Sequence, residues 1–164
     1  MKNVLSILGT GVYLPPARAV REVVLEVGQD PSAYQGWANC CHALAEDHPS
    51  TMGTTALRRA LEDAKVEPAE LKLVLFAGMS RDYLPSWSVA TEIMKACGTG
   101  GHCMGLDMTA GCLGALSALD MAQGWLVLTL TDSALLLGIL TAVQYTPQLV
   151  FSLMAGVVSD QVPK

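Results

Sequence analysis

The sequence predicts an α/β fold, and three stretches predict it. Between residues 50 and 66, Ala56, Leu57, Ala60, Leu61 and Ala64 recur at helical spacing opposite Arg58, Arg59, Glu62, Asp63 and Lys65, the pattern of an amphipathic helix. Leu71 to Met79 (LKLVLFAGM) is a nearly continuous apolar run of strand length, as expected of a strand covered on both faces. His102 to Met108 leads through Ala110-Gly111-Cys112 into Leu113, Gly114, Ala115, Leu116, Ala118, Leu119 and Ala122, so the order is strand, sharp turn, cysteine, helix. Strands alternating with helices argue for a parallel or mixed sheet with helices on its faces.

Taken in chain order, Val4 to Leu8 is a short apolar run ended by Gly9-Thr10-Gly11 and then Pro15-Pro16, which reads as a buried strand entering a turn. From Arg18 to Pro49 the breakers Gly28, Pro31, Gly36 and Pro49 interrupt any long period, so short helices and loops are expected. Ser50 precedes the amphipathic helix, and Pro68 closes it off from the strand at 71–79. A second helix is expected after Pro85-Ser86, through Val89, Ile93, Met94 and Ala96 to Gly98. Trp125 to Tyr145 is nearly long and apolar enough for a membrane span. Divided at Asp132-Ser133 and at Pro147, it becomes two runs, Ala134 to Val143 and Leu149 to Val158, of a length typical of buried strands, and that reading is favoured over a membrane one.

The 164 residues fit one domain. Half of them are hydrophobic (51%) and only 15% are charged, more apolar side chain than one small body readily hides, so association with a partner is expected. A formal net charge of -5 and the lack of a basic tract argue against nucleic-acid binding, which rests on Lys and Arg neutralising phosphates. Cys40, Cys41, Cys97, Cys103 and Cys112 are odd in number and follow no recognisable secretory signal, which points to a reducing, cytoplasmic compartment. Cys40, Cys41, His42 and His48 match no zinc spacing, and no metal site is expected.

A cysteine in the first turn of a helix meets the partial positive charge of unpaired backbone N–H groups, which favours the nucleophilic thiolate. Glycines at 111 and 114 permit a tight turn and close approach of an acyl thioester. By local physics alone, a cysteine among Ala, Gly and Leu is more often a small core residue.

The segments ILGTGVYLP (7–15), DHPSTMGTTALRRALEDAKV (47–66), LKLVLFAGMSRDYLPSWSVATEI (71–93) and LDMTAGCLGALSALDMAQGWL (106–126) resemble, in order and spacing, the N-terminal half of β-ketoacyl-acyl carrier protein synthase III proteins of the thiolase superfamily. The resemblance implies one nucleophile-bearing half, residues 1–164, of the layered αβαβα thiolase fold, with a mixed sheet covered by helices. It implies that Cys112 is the catalytic nucleophile, taking an acyl group from acyl-CoA or an acyl carrier protein with no permanently bound cofactor. The acyl group then passes to a malonyl thioester or to another small-molecule or carrier acceptor, in fatty acid or polyketide biosynthesis.

The resemblance also implies what this chain does not carry. The family's His and Asn belong to its C-terminal half, and none of His42, His48 or His102 matches them, so a homo- or hetero-oligomer is expected, with the missing half on another polypeptide or lost. Near Trp37, where the family has an Arg-Thr-Gly stretch that helps hold CoA, the chain reads Trp37-Ala38-Asn39-Cys40-Cys41-His42; Trp37 is a substrate-binding candidate by this resemblance alone, and a carrier protein becomes the alternative donor. Arg58 and Arg59 are either a contact for an acidic carrier or simply solvated. Val157-Val158-Ser159-Asp160 resembles the end of the strand that closes the family's first half. The competing reading is a noncatalytic thiolase-like subunit or an inactive fragment that needs a partner chain.

Overall fold

A computed structural model describes residues 6–80, 82 and 87–161, with side chains up to residue 152. The chain divides into two compact units, residues 1–114 and 115–164.

The first unit is α/β. Its centre is a parallel pair of strands, β3 (Leu73–Ala77) and β4 (Met104–Met108), in the register Leu73↔Met104 to Ala77↔Met108. Parallel neighbours need a crossover. Here it contains α3 (Val89–Cys97), which packs on both strands and buries Val89, Ala90 and Ile93. Ser88 caps it, accepting from the Thr91 amide at 3.2 Å, and Gly98 ends it in the left-handed conformation at φ 74°. Pro85 and Ser86, read as the lead into this helix, lie outside the described residues.

Against α3 lies α2 (Pro49–Ala64), the amphipathic helix of the sequence, with Leu61 buried. Its cap is His48 with Pro49 in the first turn, while the buried Ser50 gives its amide to both Asp82 carboxylate oxygens at 2.9 and 3.1 Å. Residues 6–16 run along α2 as an irregular segment. At Gly11 a Cβ would fall 2.0 Å from the Ala56 carbonyl oxygen, so only glycine allows this approach. The Thr10 amide donates to Asp63 at 2.9 Å, and Arg59 donates to the Val12 carbonyl.

The expected buried strand at Val4 to Leu8 is therefore corrected. Val4 and Leu5 lie outside the described residues, and Ile7 and Leu8 are exposed, because the segment's polar ties go to a helix and not to a sheet. Residues 18–49 hold short elements as expected, α1 (Val20–Glu26) and a 3-10 turn at Pro31–Tyr34. They also hold an unforeseen antiparallel ladder of β1 (Ala17–Ala19) with β2 (Asn39–Cys41).

The strand expected at 71–79 is β3, half-buried at every position from Leu73 to Ala77. In β4, Asp107 and Gly105 meet α3, while Met104 and Leu106, which alternate with them, are 45% and 37% exposed.

The second unit is an antiparallel helical pair. α4 (Gly114–Thr131, its first residue belonging to the first unit) and α5 (Ala134–Gln161) are joined at Asp132-Ser133, where Asp132 takes a left-handed φ of 49° and Ser133 Oγ accepts from the Leu136 amide at 3.3 Å. The break at Asp132-Ser133 is where the sequence placed it, but the strands expected at 134–143 and 149–158 are one continuous helix, to which Val157 to Asp160 also belong. Pro147 lies inside it and does not divide it, although it removes one backbone hydrogen bond and sets its ring against the carbonyl four residues back.

Candidate active site

The parallel register brings the carboxyl ends of β3 and β4 level, and the Gly78 amide ties them by donating to the Met108 carbonyl at 3.2 Å. From Met108 the chain passes Thr109 and Ala110 and turns at Gly111, whose φ of 55° lies in the left-handed region that favours glycine. A 3-10 turn, Gly111–Leu113, then leads into α4. The turn is anchored because Gly114 is buried, a Cβ there lying 3.5 Å from Ala77 Cβ at the end of β3.

Cys112 thus stands exposed on a sharp turn at the carboxyl edge of a parallel strand pair, two residues before an α-helix. In open α/β sheets that edge is where ligands bind. The sequence's order of strand, turn, cysteine and helix is the order found. An exposed thiol on this edge can be reached by a thioester, which a core cysteine could not be.

Asp107, one residue from the end of β4, has a role that the sequence reading missed. Its carboxylate accepts from Ser88 Oγ at 3.0 Å and from the amides of Val89 and Ala90, both at 2.8 Å. It clamps the strand that leads to Cys112 onto the start of α3. An Asp at a strand's end was visible in the sequence, but its partners lie 17 to 19 residues away and give no local signal.

The other cysteines are placed differently. Cys97 Sγ donates to the Thr54 carbonyl at 3.8 Å, and burial, opposed by Arg58, holds its thiol above the usual range. Cys103 is half-buried with its thiol towards the Met104 carbonyl at 3.9 Å. Cys40 and Cys41 are successive residues of β2 and so point to opposite sides, Cys40 half-buried and Cys41 exposed. Among the described residues, no group of three or more His, Cys, Asp or Glu side chains is placed to hold a metal ion.

Trp37 follows the 3-10 turn at Pro31–Tyr34, its amide donating to the Tyr34 carbonyl at 3.2 Å, and is 70% exposed. It lines an open concavity with Arg21, Asp30 and Tyr34, and Cys112 is not in that lining. The structure leaves the two candidates on separate features. Arg58 and Arg59 are exposed and each also donates inward, Arg58 to the Ala96 carbonyl at 2.6 Å and Arg59 to that of Val12, so they tie α2 to its neighbours. His42 follows β2, His48 caps α2 and His102 lies in the turn before β4.

No family model matches the chain. It is 29% identical over 139 residues to the β-ketoacyl-[acyl-carrier-protein] synthase III of Neisseria gonorrhoeae, covering 80% of this chain and 42% of that protein. With the enzyme of the same name from Clostridium acetobutylicum it shares 27% over 143 residues, 83% of this chain and 42% of the relative. Among solved structures, the priming β-ketosynthase of a polyketide biosynthetic pathway superposes with a TM-score of 0.63 at 29% identity over 71% of this chain and 35% of that one. The 3-oxoacyl-[acyl-carrier-protein] synthase III of Aquifex aeolicus gives 0.63 at 27% identity over 73% and 39%. The chain therefore resembles the N-terminal part of these proteins and has a thiolase-like α/β fold, and it spans about two-fifths of the length of the curated relatives it matches.

Proposed function

We propose that this chain carries the nucleophile of a cytoplasmic acyltransferase of the β-ketoacyl-acyl carrier protein synthase III type, serving fatty acid or polyketide biosynthesis. The observation that carries this reading is the exposed Cys112 on its turn at the carboxyl edge of β3 and β4, in a chain similar to such synthases.

The Cys112 thiolate attacks the carbonyl carbon of an acyl-CoA or acyl carrier thioester. A new carbon–sulfur bond forms, the donor's sulfur leaves as a thiolate, and the acyl group rests on Cys112 until a malonyl thioester carbanion or another acceptor removes it. Capture needs only the sulfur and room for the thioester. Transfer onward needs a positioned base and donors to the developing oxyanion, each commonly worth factors of about 10² to 10⁴. In the family these are a His and an Asn of the C-terminal half, and no residue here matches them, so turnover is expected only where that half is also present. Trp37 is a contact for the donor's adenine or pantetheine, weaker than in the family because the accompanying arginine motif is replaced.

The test is intact mass and peptide mapping of wild-type and Cys112→Ser protein after incubation with short acyl-CoA and acyl carrier thioesters. Wild type is expected to gain one acyl group on Cys112, with little or no turnover by the lone chain. Cys41, the other exposed cysteine, is the internal control. Label on Cys41, or equal label on Cys112→Ser, overturns the assignment, and no label at all favours the noncatalytic subunit.

A further inference from the structure

We infer that Ala77 is a positioning residue for Cys112: its small side chain sets how closely the nucleophile's turn approaches the end of β3, an inference that rests on the acyl capture proposed above. β3 carries large side chains through Leu73, Val74, Leu75 and Phe76, and the chain then drops to Ala77 and Gly78. Alanine and glycine are poor strand formers, so their place at this edge has a cause other than propensity.

The cause is a close approach. A Cβ at Gly114 would lie 3.5 Å from Ala77 Cβ, 3.9 Å from its carbonyl carbon and 4.0 Å from its Cα. These are optimal separations between carbon atoms, so the gap takes one added methyl group and not the three further carbons of a leucine.

A larger residue at 77 would displace the turn and not the sheet. Phe76 and Gly78 point to the face of the strand opposite Ala77. There the Phe76 ring lies over Gly78, where a Cβ would fall 2.7 Å from its Cε1, and the ring keeps β3 from backing away. The Gly78 amide is bonded to the Met108 carbonyl, and Asp107 holds the end of β4 on the start of α3. Inside the turn, the Leu113 amide donates to the Ala110 carbonyl and the Gly114 amide to that of Gly111, bonds that travel with the turn and do not fix it to the strands. Cys112 is two residues from Gly114, so a displacement at the contact is carried to the sulfur. A misplacement of about 1 Å at a reacting group costs about a hundredfold in rate.

The experiment measures single-turnover acylation of the full chain by acetyl-CoA, read by intact mass, alongside the amide resonances of isotope-labelled protein. Ala77→Leu is expected to lower the saturating rate of Cys112 acylation by about a hundredfold at an unchanged half-saturating concentration. It is also expected to move the amide resonances of Gly111, Cys112 and Leu113 while that of Cys41 stays in place. Ala77→Ser, close to alanine in size, is expected to restore both readouts. Ala77→Gly is expected to slow acylation less than Ala77→Leu does, and adding Gly114→Ala, which returns the methyl group from the other side of the gap, to recover the loss. That volume-conserving pair decides the matter if Ala77→Leu does not fold. If wild type accepts no acyl group, the reading of Cys112 fails, and the resonances still judge Ala77. Three results overturn the inference: Ala77→Leu protein acylated as fast as wild type, turn resonances that ignore the size of residue 77, or a paired variant no faster than Ala77→Gly alone.

Discussion

The two units contain similar side chains and use them in opposite ways. Among the described residues of 1–114 the buried hydrophobic side chains are few, Val20, Val24, Leu61, Val89, Ala90 and Ile93, and several polar groups find partners far along the chain: Asp107 with the start of α3, Asp82 with Ser50, Thr10 with Asp63. In residues 115–152 the leucines are largely exposed and the threonines bond within four residues. Apolar content alone does not fix how a segment packs: the first unit builds its core from helices on a strand pair, whereas the second pairs helix with helix through Asp120, Gln144 and Tyr145.

The largest effect expected to break or sharpen this contrast is a pair of truncations. Ile93→Ala, at a site 4% exposed, should destabilise the first unit by about 2–5 kcal/mol through lost burial and the cavity left behind. Leu135→Ala, at a site 73% exposed, should change the same unfolding transition by less than about 0.5 kcal/mol. Denaturant titration reads both, and comparable losses would dissolve the distinction.

Next in size is Asp107→Ala, which strips the amides of Val89 and Ala90 and the Ser88 hydroxyl of their acceptor and should cost about 1–3 kcal/mol. It should also slow acyl capture by Cys112, as β4 loosens from α3. Equal stability of variant and wild type would remove Asp107 from its clamping role.

The smallest effect is a pH dependence confined to the first unit. The Tyr13 hydroxyl donates to Asp47, which, with the Leu44 amide, holds the Asp47 carboxyl below its usual range; the same bond holds the Tyr13 phenol above its own. A depressed carboxylate stabilises above its unfolded value, so its contribution falls as pH drops from about 4 through the folded value. A raised phenol stabilises below its unfolded value, so its contribution falls as pH rises from about 10. Tyr13→Phe should flatten both flanks of a Tm-against-pH curve. If the flanks persist, other groups carry them.

Much of the site was legible because its signals are local. The helix at 49–64, the strand at 73–77, the helix ending at Gly98 and the turn at Cys112 each announce themselves by period, breaker or run length. What escaped depends on partners. The ladder of Ala17–Ala19 with Asn39–Cys41 joins two three-residue strands too short to show alternation, and the Asp107 clamp depends on distant amides. Residues 134–161 misled for another reason: a continuous apolar run has no period to tell strand from helix, and Pro147 was given a stopping power that it does not have here.

Gly111 limits what mutation could write beside the nucleophile. No atom lies within 4 Å of the place a Cβ would take, so handedness and not volume restricts the position. The fold already holds Lys65 and Asp132 at φ 55° and 49°, which shows that a side chain is tolerated in that region at a cost. Asn and Asp, which visit it most readily, would be the least harmful replacements at 111, Ala would cost about 1 kcal/mol, and β-branched residues more. Among functional descendants of this sequence the alphabet at position 111 would thin in that order, with valine and isoleucine the first letters lost.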